Sequence, residues 1–127
     1  MGVGTKQTLR VIASEETTAI YSGTIALTPK FAKIDVASVG DNTIVSGVTG
    51  KKIRVLQYAF ICAGAVTVTF KSGTTPISGD MSFAANGGIS TPYSPVGLIE
   101  TSAGEALVLN LSASTSIGGH LVYVEVL

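Results

Sequence analysis

Hydrophobic and polar residues alternate one by one over many short stretches of this chain, most clearly in residues 51–73. Because successive side chains of a β-strand point to opposite faces of a sheet, an alternation with a period of two predicts strands. The first part of this stretch predicts a strand with two largely apolar faces, as expected near the middle of a packed sheet. One face carries Ile53, Val55, Gln57, Ala59 and Ile61, and the other carries Arg54, Leu56, Tyr58, Phe60 and Cys62.

A second strand is predicted directly after Ala63-Gly64, and it is amphipathic. Its apolar face consists of Val66, Val68 and Phe70, and its polar face of Thr67, Thr69 and Lys71. The polar face of such a strand is free to meet water or a partner.

The rest of the chain repeats this pattern in short stretches separated by Gly-, Pro-, Asn- and Ser-rich turns, without helical spacing. Further strands are predicted at residues 8–13, 19–27 (weakened by Gly23), 31–36, 43–48, 96–100, 105–113 and 120–127, with turns at residues 38–42 and 114–119. Eight or nine short strands of this kind indicate an all-β sandwich or barrel. We predict an antiparallel, jelly-roll-like β-sandwich.

Two regions have a weaker pattern. In residues 77–95 we expect Met81, Phe83, Ile89 and Tyr93 to anchor the chain to the core. We treat residues 1–28 as an N-terminal segment, which is either an arm that contacts a neighbouring molecule or an ordinary edge hairpin. Residues 29–127 then form the β-sandwich domain, because the alternation becomes clearer from Phe31 onwards.

The composition indicates a sparsely charged surface. The chain of 127 residues fits one domain, and its 13% of charged residues is well below the roughly 25% that is usual for soluble domains. Either another chain covers part of the surface, or the surface is rich in Ser and Thr. Residues 1–54 hold seven basic and four acidic groups, and residues 55–127 hold one and four. This split favours head-to-tail contact or docking of the basic part onto an acidic surface, unless it arises by chance.

The sequence also indicates where the protein is made and which partners it lacks. A single cysteine, Cys62, cannot form an internal disulfide, so we expect folding in a reducing cytoplasm. Residues 1–20 lack a signal-peptide pattern, and no apolar run reaches the roughly 20 residues of a membrane helix. No basic patch is interleaved with aromatic residues, so neither a membrane nor a nucleic acid is an expected partner.

No combination of residues predicts catalysis or metal binding. His120 is the only candidate base, and nothing in the sequence pairs it with a nucleophile. Apolar neighbours are expected to leave the Cys62 thiol inert, and one histidine with one cysteine is too few for a zinc site. We therefore predict no catalytic residue, no metal and no cofactor. Tyr58, Tyr93 and Tyr123 either pack in the core or an interface or line a sugar-binding face.

Three segments resemble small β-structured virion proteins of tailed bacteriophages. They are GKKIRVLQYAFICAGAVTVTFKSGTTPISGDMSFAANGG (residues 50–88), PKFAKIDVASVGDNTIV (residues 29–45) and AGEALVLNLSASTSIGGHLVYVEV (residues 103–126). The resemblance lies in overall pattern, leaves residues 1–28 unmatched, and transfers no short catalytic or binding signature.

Within that class the resemblance implies a capsid decoration (cement) protein, which binds the outside of a phage head, stabilises the shell and is often a homotrimer. The partner would be the major capsid protein, and the location the virion surface after synthesis in the bacterial cytoplasm. On this interpretation we expect Lys6, Arg10 and Tyr21 to contact the capsid. A subunit interface is expected to include Tyr58, Tyr93, His120 and Tyr123. The alternative is a receptor- or glycan-binding module of a tail fibre or spike, with residues 77–95 as its site.

Overall fold

A computed structural model of the chain describes residues 20–127, and within them all regular structure is β-strand. The twelve strands of these residues are β1 (Ile20–Ser22), β2 (Ile25–Leu27), β3 (Lys30–Val36), β4 (Gly40–Val45), β5 (Lys52–Cys62), β6 (Val66–Ser72), β7 (Thr75–Pro76), β8 (Met81–Phe83), β9 (Gly88–Ser90), β10 (Ile99–Glu100), β11 (Leu107–Leu111) and β12 (Ile117–Val126). Their number exceeds the predicted eight or nine because Gly23 divides one predicted strand into β1 and β2, and because residues 73–95 contribute three strands of only two or three residues.

Ten of the strands form two antiparallel sheets that are each four strands wide. Sheet 1 has the order β3-β12-β5, and β9 and β10 lie end to end along the other edge of β5. Sheet 2 has the order β4-β11-β6, and β7 and β8 lie end to end along β6. Consecutive long strands alternate between the sheets, with β3 to β4, β5 to β6 and β11 to β12 each changing sheet. This is jelly-roll topology, so the predicted fold is confirmed.

The main core lies between the sheets and is built from the inner faces of their central strands. The alternation predicted for β6 is confirmed, since Val66, Val68 and Phe70 are all buried in this core. The same holds for β11, whose leucines point inward and whose Asn110 lies on the other face. Each of these strands has one buried face and one partly exposed face, which is the situation in which alternation reports burial directly.

The alternation predicted along β5 is wrong beyond the middle of the strand. Val122 of β12 pairs with Gln57 and Tyr123 pairs with Val55, so Leu56 is an extra residue in β5. An extra residue of this kind is a β-bulge, and it moves every later side chain to the opposite face. The core therefore combines residues that were predicted to oppose each other, namely Ile53, Val55, Tyr58, Phe60 and Cys62.

The N-terminal hairpin covers the outer face of sheet 1 around this bulge. Residues 19–27 were predicted as one strand, but Gly23 adopts a φ of 62° and reverses the chain between β1 and β2. Ile20 of β1 packs with Leu56, Val124 and Val126 in a second buried cluster, separate from the main core. The strand predicted at residues 8–13 lies outside the described residues.

Other differences concern strand boundaries and one core anchor. Residues 117–119 were predicted as the end of a turn, yet they form the start of β12. Strand β4 begins three residues before the prediction, and β10 is limited to its last two predicted residues. Met81, Phe83 and Ile89 pack against the core as expected, whereas Tyr93 is 43% exposed and does not anchor the chain.

Candidate interaction surfaces

The side chains predicted to contact partners lie in separate parts of the molecule. Tyr21, on the hairpin, is 56% exposed, and Tyr93, in the loop between β9 and β10, is 43% exposed. His120 lies exposed on the outer face of β12, between Lys33 of β3 and Ala59 of β5. These three residues lie on three different elements, namely the hairpin, the loop between β9 and β10, and β12. Lys6 and Arg10 lie outside the described residues, so the predicted capsid contact stays a prediction.

The two remaining tyrosines belong to the core rather than to the surface. The Tyr58 ring is 9% exposed, stacks on Phe60 with ring centroids 5.9 Å apart, and meets the edge of Phe70 at 4.9 Å. Burial also raises the pKa of the Tyr58 hydroxyl. Tyr123 is half-buried and packs against the same core. In this fold Tyr58 offers little surface to a subunit interface or to a sugar.

The two side chains considered for catalysis lie on opposite sides of sheet 1. Cys62 is fully buried in the main core, and burial raises the pKa of its thiol, which disfavours the reactive thiolate. His120 projects from the outer face. Within residues 20–127, no group of three or more His, Cys, Asp or Glu side chains could hold a metal ion. The same residues contain no helix that could cross a membrane.

The charge difference between the two halves of the sequence is partly offset by ion pairs within residues 20–127. Lys30 contacts Glu125 at 2.9 Å and Arg54 contacts Glu100 at 2.7 Å, so basic residues of the first half meet acidic residues of the second. The hydrogen bond from Lys30 to Glu125 raises the pKa of the lysine. These ion pairs leave less charge for head-to-tail contact between copies.

The outer face of sheet 2 is polar, and its side chains bind one another. Asn110 donates a hydrogen bond to Asp41 at 2.6 Å, and the Lys71 ammonium contacts the same carboxylate at 3.0 Å. These two contacts hold the pKa of Asp41 below its ordinary value, with the Asn110 bond as the larger cause. Thr69 of β6 donates a hydrogen bond at 2.6 Å to Asp80, which directly precedes β8. This face is satisfied without a partner.

Exposed apolar side chains concentrate on the side of sheet 1. Of the ten large hydrophobic residues that are exposed among residues 20–127, eight lie on sheet 1, on the hairpin that covers it, or on its border. These eight, which we call the apolar set, are Tyr21, Ile25, Phe31, Ile61, Tyr93, Val96, Leu98 and Leu127. The other two, Val39 and Val48, flank β4 in loops. Exposed large hydrophobic residues are thus more frequent on the side of sheet 1 than on the outer face of sheet 2.

A cleft of about 320 Å³ separates the hairpin from the end of sheet 1. Its walls combine apolar residues of β2 with Lys30, Lys51 and Glu125. The Glu125 side chain is only 14% exposed, and the two ammonium groups lie 2.9 and 4.0 Å from it. The cleft charges therefore neutralise one another in part, and the cleft mainly shows how the hairpin is attached.

Comparison with known proteins gives little beyond the fold. No protein-family model matches the chain, and no curated protein matches it. Among solved structures, a similar chain comes from Bacillus endospore appendages, described as a family of disulfide-linked pili. The two chains are 14% identical and superpose with a TM-score of 0.46, over 79% of this chain and 87% of the other. Similarity at this level carries no inference about function.

Proposed function

We propose that this chain is a structural protein of an assembly, and more specifically a capsid decoration protein that binds the outside of a phage head and stabilises the shell. The observation that supports this proposal is the concentration of exposed apolar side chains on one side of a sandwich whose opposite face is polar. The partner is the major capsid protein, and the copies associate with one another, as trimers if the phage resemblance holds.

Burial of the apolar set by a partner would contribute favourable free energy to binding. Phe31 and Val96 are each 80% exposed and Ile61 is 61% exposed. Full burial of a side chain of this size contributes about 1.5–3 kcal/mol. Exposed apolar areas bordered by polar residues commonly mark contacts with other proteins. The set extends over the hairpin, the outer face and the border of sheet 1, which suits a subunit that contacts both a shell and neighbouring copies.

The polar face of sheet 2 supports one orientation on the shell. Its carboxylate, amide and ammonium groups already bind one another, as Asp41, Asn110 and Lys71 do. Removing such groups from water carries a desolvation cost that a partner would have to offset. We therefore propose that sheet 1 and its hairpin face the shell and that the outer face of sheet 2 faces solvent.

Copy number in purified virions tests the function. Quantitative mass spectrometry should find hundreds of copies in a fixed ratio to the major capsid protein. A few copies, or a few tens, would favour the tail-fibre or spike module instead, and a glycan screen would follow. Complete absence from virions would refute both proposals.

Two matched variants test the orientation. Ile61→Glu places a charge on the outer face of sheet 1, and Thr43→Glu places the same charge on the outer face of sheet 2, at an exposed strand position in both cases. Ile61→Glu should abolish binding to shells that lack the protein, and Thr43→Glu should bind normally. Loss of binding in Thr43→Glu alone would reverse the proposed orientation.

A further inference from the structure

Each sheet of the sandwich has two outer edges, and three of the four edges are interrupted. The edge formed by β9 and β10 contains strands of three and two residues with a loop between them. The edge formed by β7 and β8 is equally short and contains Pro76, which has no amide hydrogen to donate. Strand β4 shifts register against β11 and begins at Gly40, with a φ of 92°. Short strands, prolines and irregularities of this kind prevent another strand from adding to a sheet.

The fourth edge, β3, has none of these interruptions. It is seven residues long, its sequence KFAKIDV contains neither proline nor glycine, and its register against β12 is continuous. Within residues 20–127, β3 pairs only with β12, so its outer row of backbone groups has no strand partner there. Such an edge is a template for a further strand.

The charges on β3 have opposite signs and are spaced two residues apart. The side chains of Lys33 and Asp35 both point to the outer face, are 84% and 74% exposed, and lie 3.7 Å from each other. Charges on an edge strand often serve to repel other strands. Here the lysine and the aspartate together carry no net charge. They therefore repel a second copy of β3 only in registers that place like charges opposite each other.

Symmetry limits the registers in which two copies of β3 can pair. In an antiparallel pair that continues a sheet, opposed residues point to the same face, so a two-fold axis must pass through a residue and not between residues. An axis at position 33 or 35 would oppose two like charges. An axis at Ile34 places Lys33 of each copy directly opposite Asp35 of the other.

The same register also pairs the apolar residues of the edge. Ala32 of one copy lies opposite Val36 of the other, and both residues are only partly buried against the core in the single chain. On the outer face, Phe31, which is 80% exposed, lies opposite position 37 of the second copy, just beyond the end of β3.

We propose that β3 pairs antiparallel with β3 of a second copy of this chain, about a two-fold axis at Ile34, and that the two copies of sheet 1 become one continuous sheet. This contact does not depend on the proposed capsid function. Seven residues span about 24 Å, which gives an interface at the small end of the known range, where weak association is typical. The contact produces dimers, or pairs of trimers where a three-fold contact also exists.

Charge exchange in the full-length chain tests this contact. Sedimentation equilibrium and native mass spectrometry should detect a two-fold species of the wild type at high micromolar concentration. Lys33→Asp and Asp35→Lys should each weaken this association about tenfold or more at low salt, because two opposed pairs become like-charged. The double variant Lys33→Asp/Asp35→Lys should restore it, since each lysine again faces an aspartate. Both side chains are exposed, so the melting temperatures should remain equal.

Several outcomes would overturn the proposal. A wild-type chain that stays monomeric up to about 1 mM has no such contact, whether β3 is bare or covered by residues 1–19 of its own chain. Trimers without any two-fold species would have the same meaning. A two-fold species that survives both single variants, or that the double variant does not restore, would place the dimer contact elsewhere on the surface.

Discussion

Replacement of Leu56 by alanine tests the feature on which the fold departs most from a regular sandwich. Leu56 is fully buried, although it points away from the main core and lies under the hairpin with Ile20, Val124 and Val126. Removal of three buried carbon atoms without collapse of the surroundings costs about 2–5 kcal/mol. Against a total stability of about 5–15 kcal/mol for a typical domain, this loss is large and still measurable.

A large cost alone does not show where Leu56 points, because the same leucine in the main core would cost as much. The decisive quantity is its coupling to the hairpin. Ile20 is 3% exposed and Ile25, on the same hairpin, is 56% exposed. Leu56→Ala and Ile20→Ala should show a coupling free energy of about 0.5–3 kcal/mol in a double-mutant cycle, since the two side chains share one cluster. Ile25→Ala should change stability by less than about 0.5 kcal/mol and should add to Leu56→Ala without coupling.

Urea unfolding followed by circular dichroism measures these differences, and an unchanged dependence on urea concentration confirms that the variants unfold as the wild type does. If Leu56→Ala and Ile20→Ala are simply additive, the hairpin does not pack on Leu56 and the bulge in β5 is wrong. Equal effects of Ile20→Ala and Ile25→Ala would lead to the same conclusion.

Two further predictions concern the core and the polar face. Phe70→Ala should lower the free energy of unfolding in urea by about 3–5 kcal/mol, because the buried Phe70 ring packs 4.9 Å from the Tyr58 ring. Phe31→Ala, at a site that is 80% exposed, should lower it by less than about 0.5 kcal/mol in the monomer. Similar losses in the two variants would contradict the assigned faces. Asn110 and Lys71 hold the pKa of Asp41 below its ordinary value. Their contacts with the Asp41 carboxylate therefore stabilise the fold at a pH above that ordinary value, and this stabilisation is lost as the pH falls through the lowered pKa. Asn110→Ala should raise the pKa of Asp41 in an NMR titration. Ser112→Ala is the control, because Ser112 bonds to the Thr67 amide instead, and it should leave the pKa of Asp41 unchanged. An unaltered pKa of Asp41 in Asn110→Ala would exclude this hydrogen bond as the main cause of the lowered pKa.

The sequence predicts the strands that have one buried face and one partly exposed face, because burial constrains only one of the two faces. In β6 and β11 the burial of every second residue requires an apolar side chain at that position. The alternation in the sequence therefore shows which residues point into the core. Strands that are buried on both faces do not show this alternation. In β5 apolar residues occupy both faces, so an inserted residue leaves no trace in the pattern, and the bulge depends on the register with β12.

Glycine at positions 118 and 119 illustrates a second limit. The pair was interpreted as the end of a turn, but both residues lie within β12. A Cβ atom at position 119 would collide with the Ala59 carbonyl and with Phe60, so this glycine serves the close approach of β12 to β5. A glycine required by a neighbouring strand and one required by a turn are identical in the sequence, and only the pairing of distant segments distinguishes them.

The bulge at Leu56 also decides what could be predicted about the interaction surfaces. With strict alternation, Tyr58 would share a face with Leu56 and would lie on the outer side of sheet 1. The inserted residue turns Tyr58 into the core, against Phe60 and Phe70, and leaves Leu56 to hold the hairpin. The inserted residue also turns Ile61 to the outer face, where Ile61 and Phe31 are the exposed large hydrophobic residues of the sheet 1 strands. One extra residue in the central strand therefore determines both the attachment of the N-terminal hairpin and the composition of the surface that is available for assembly.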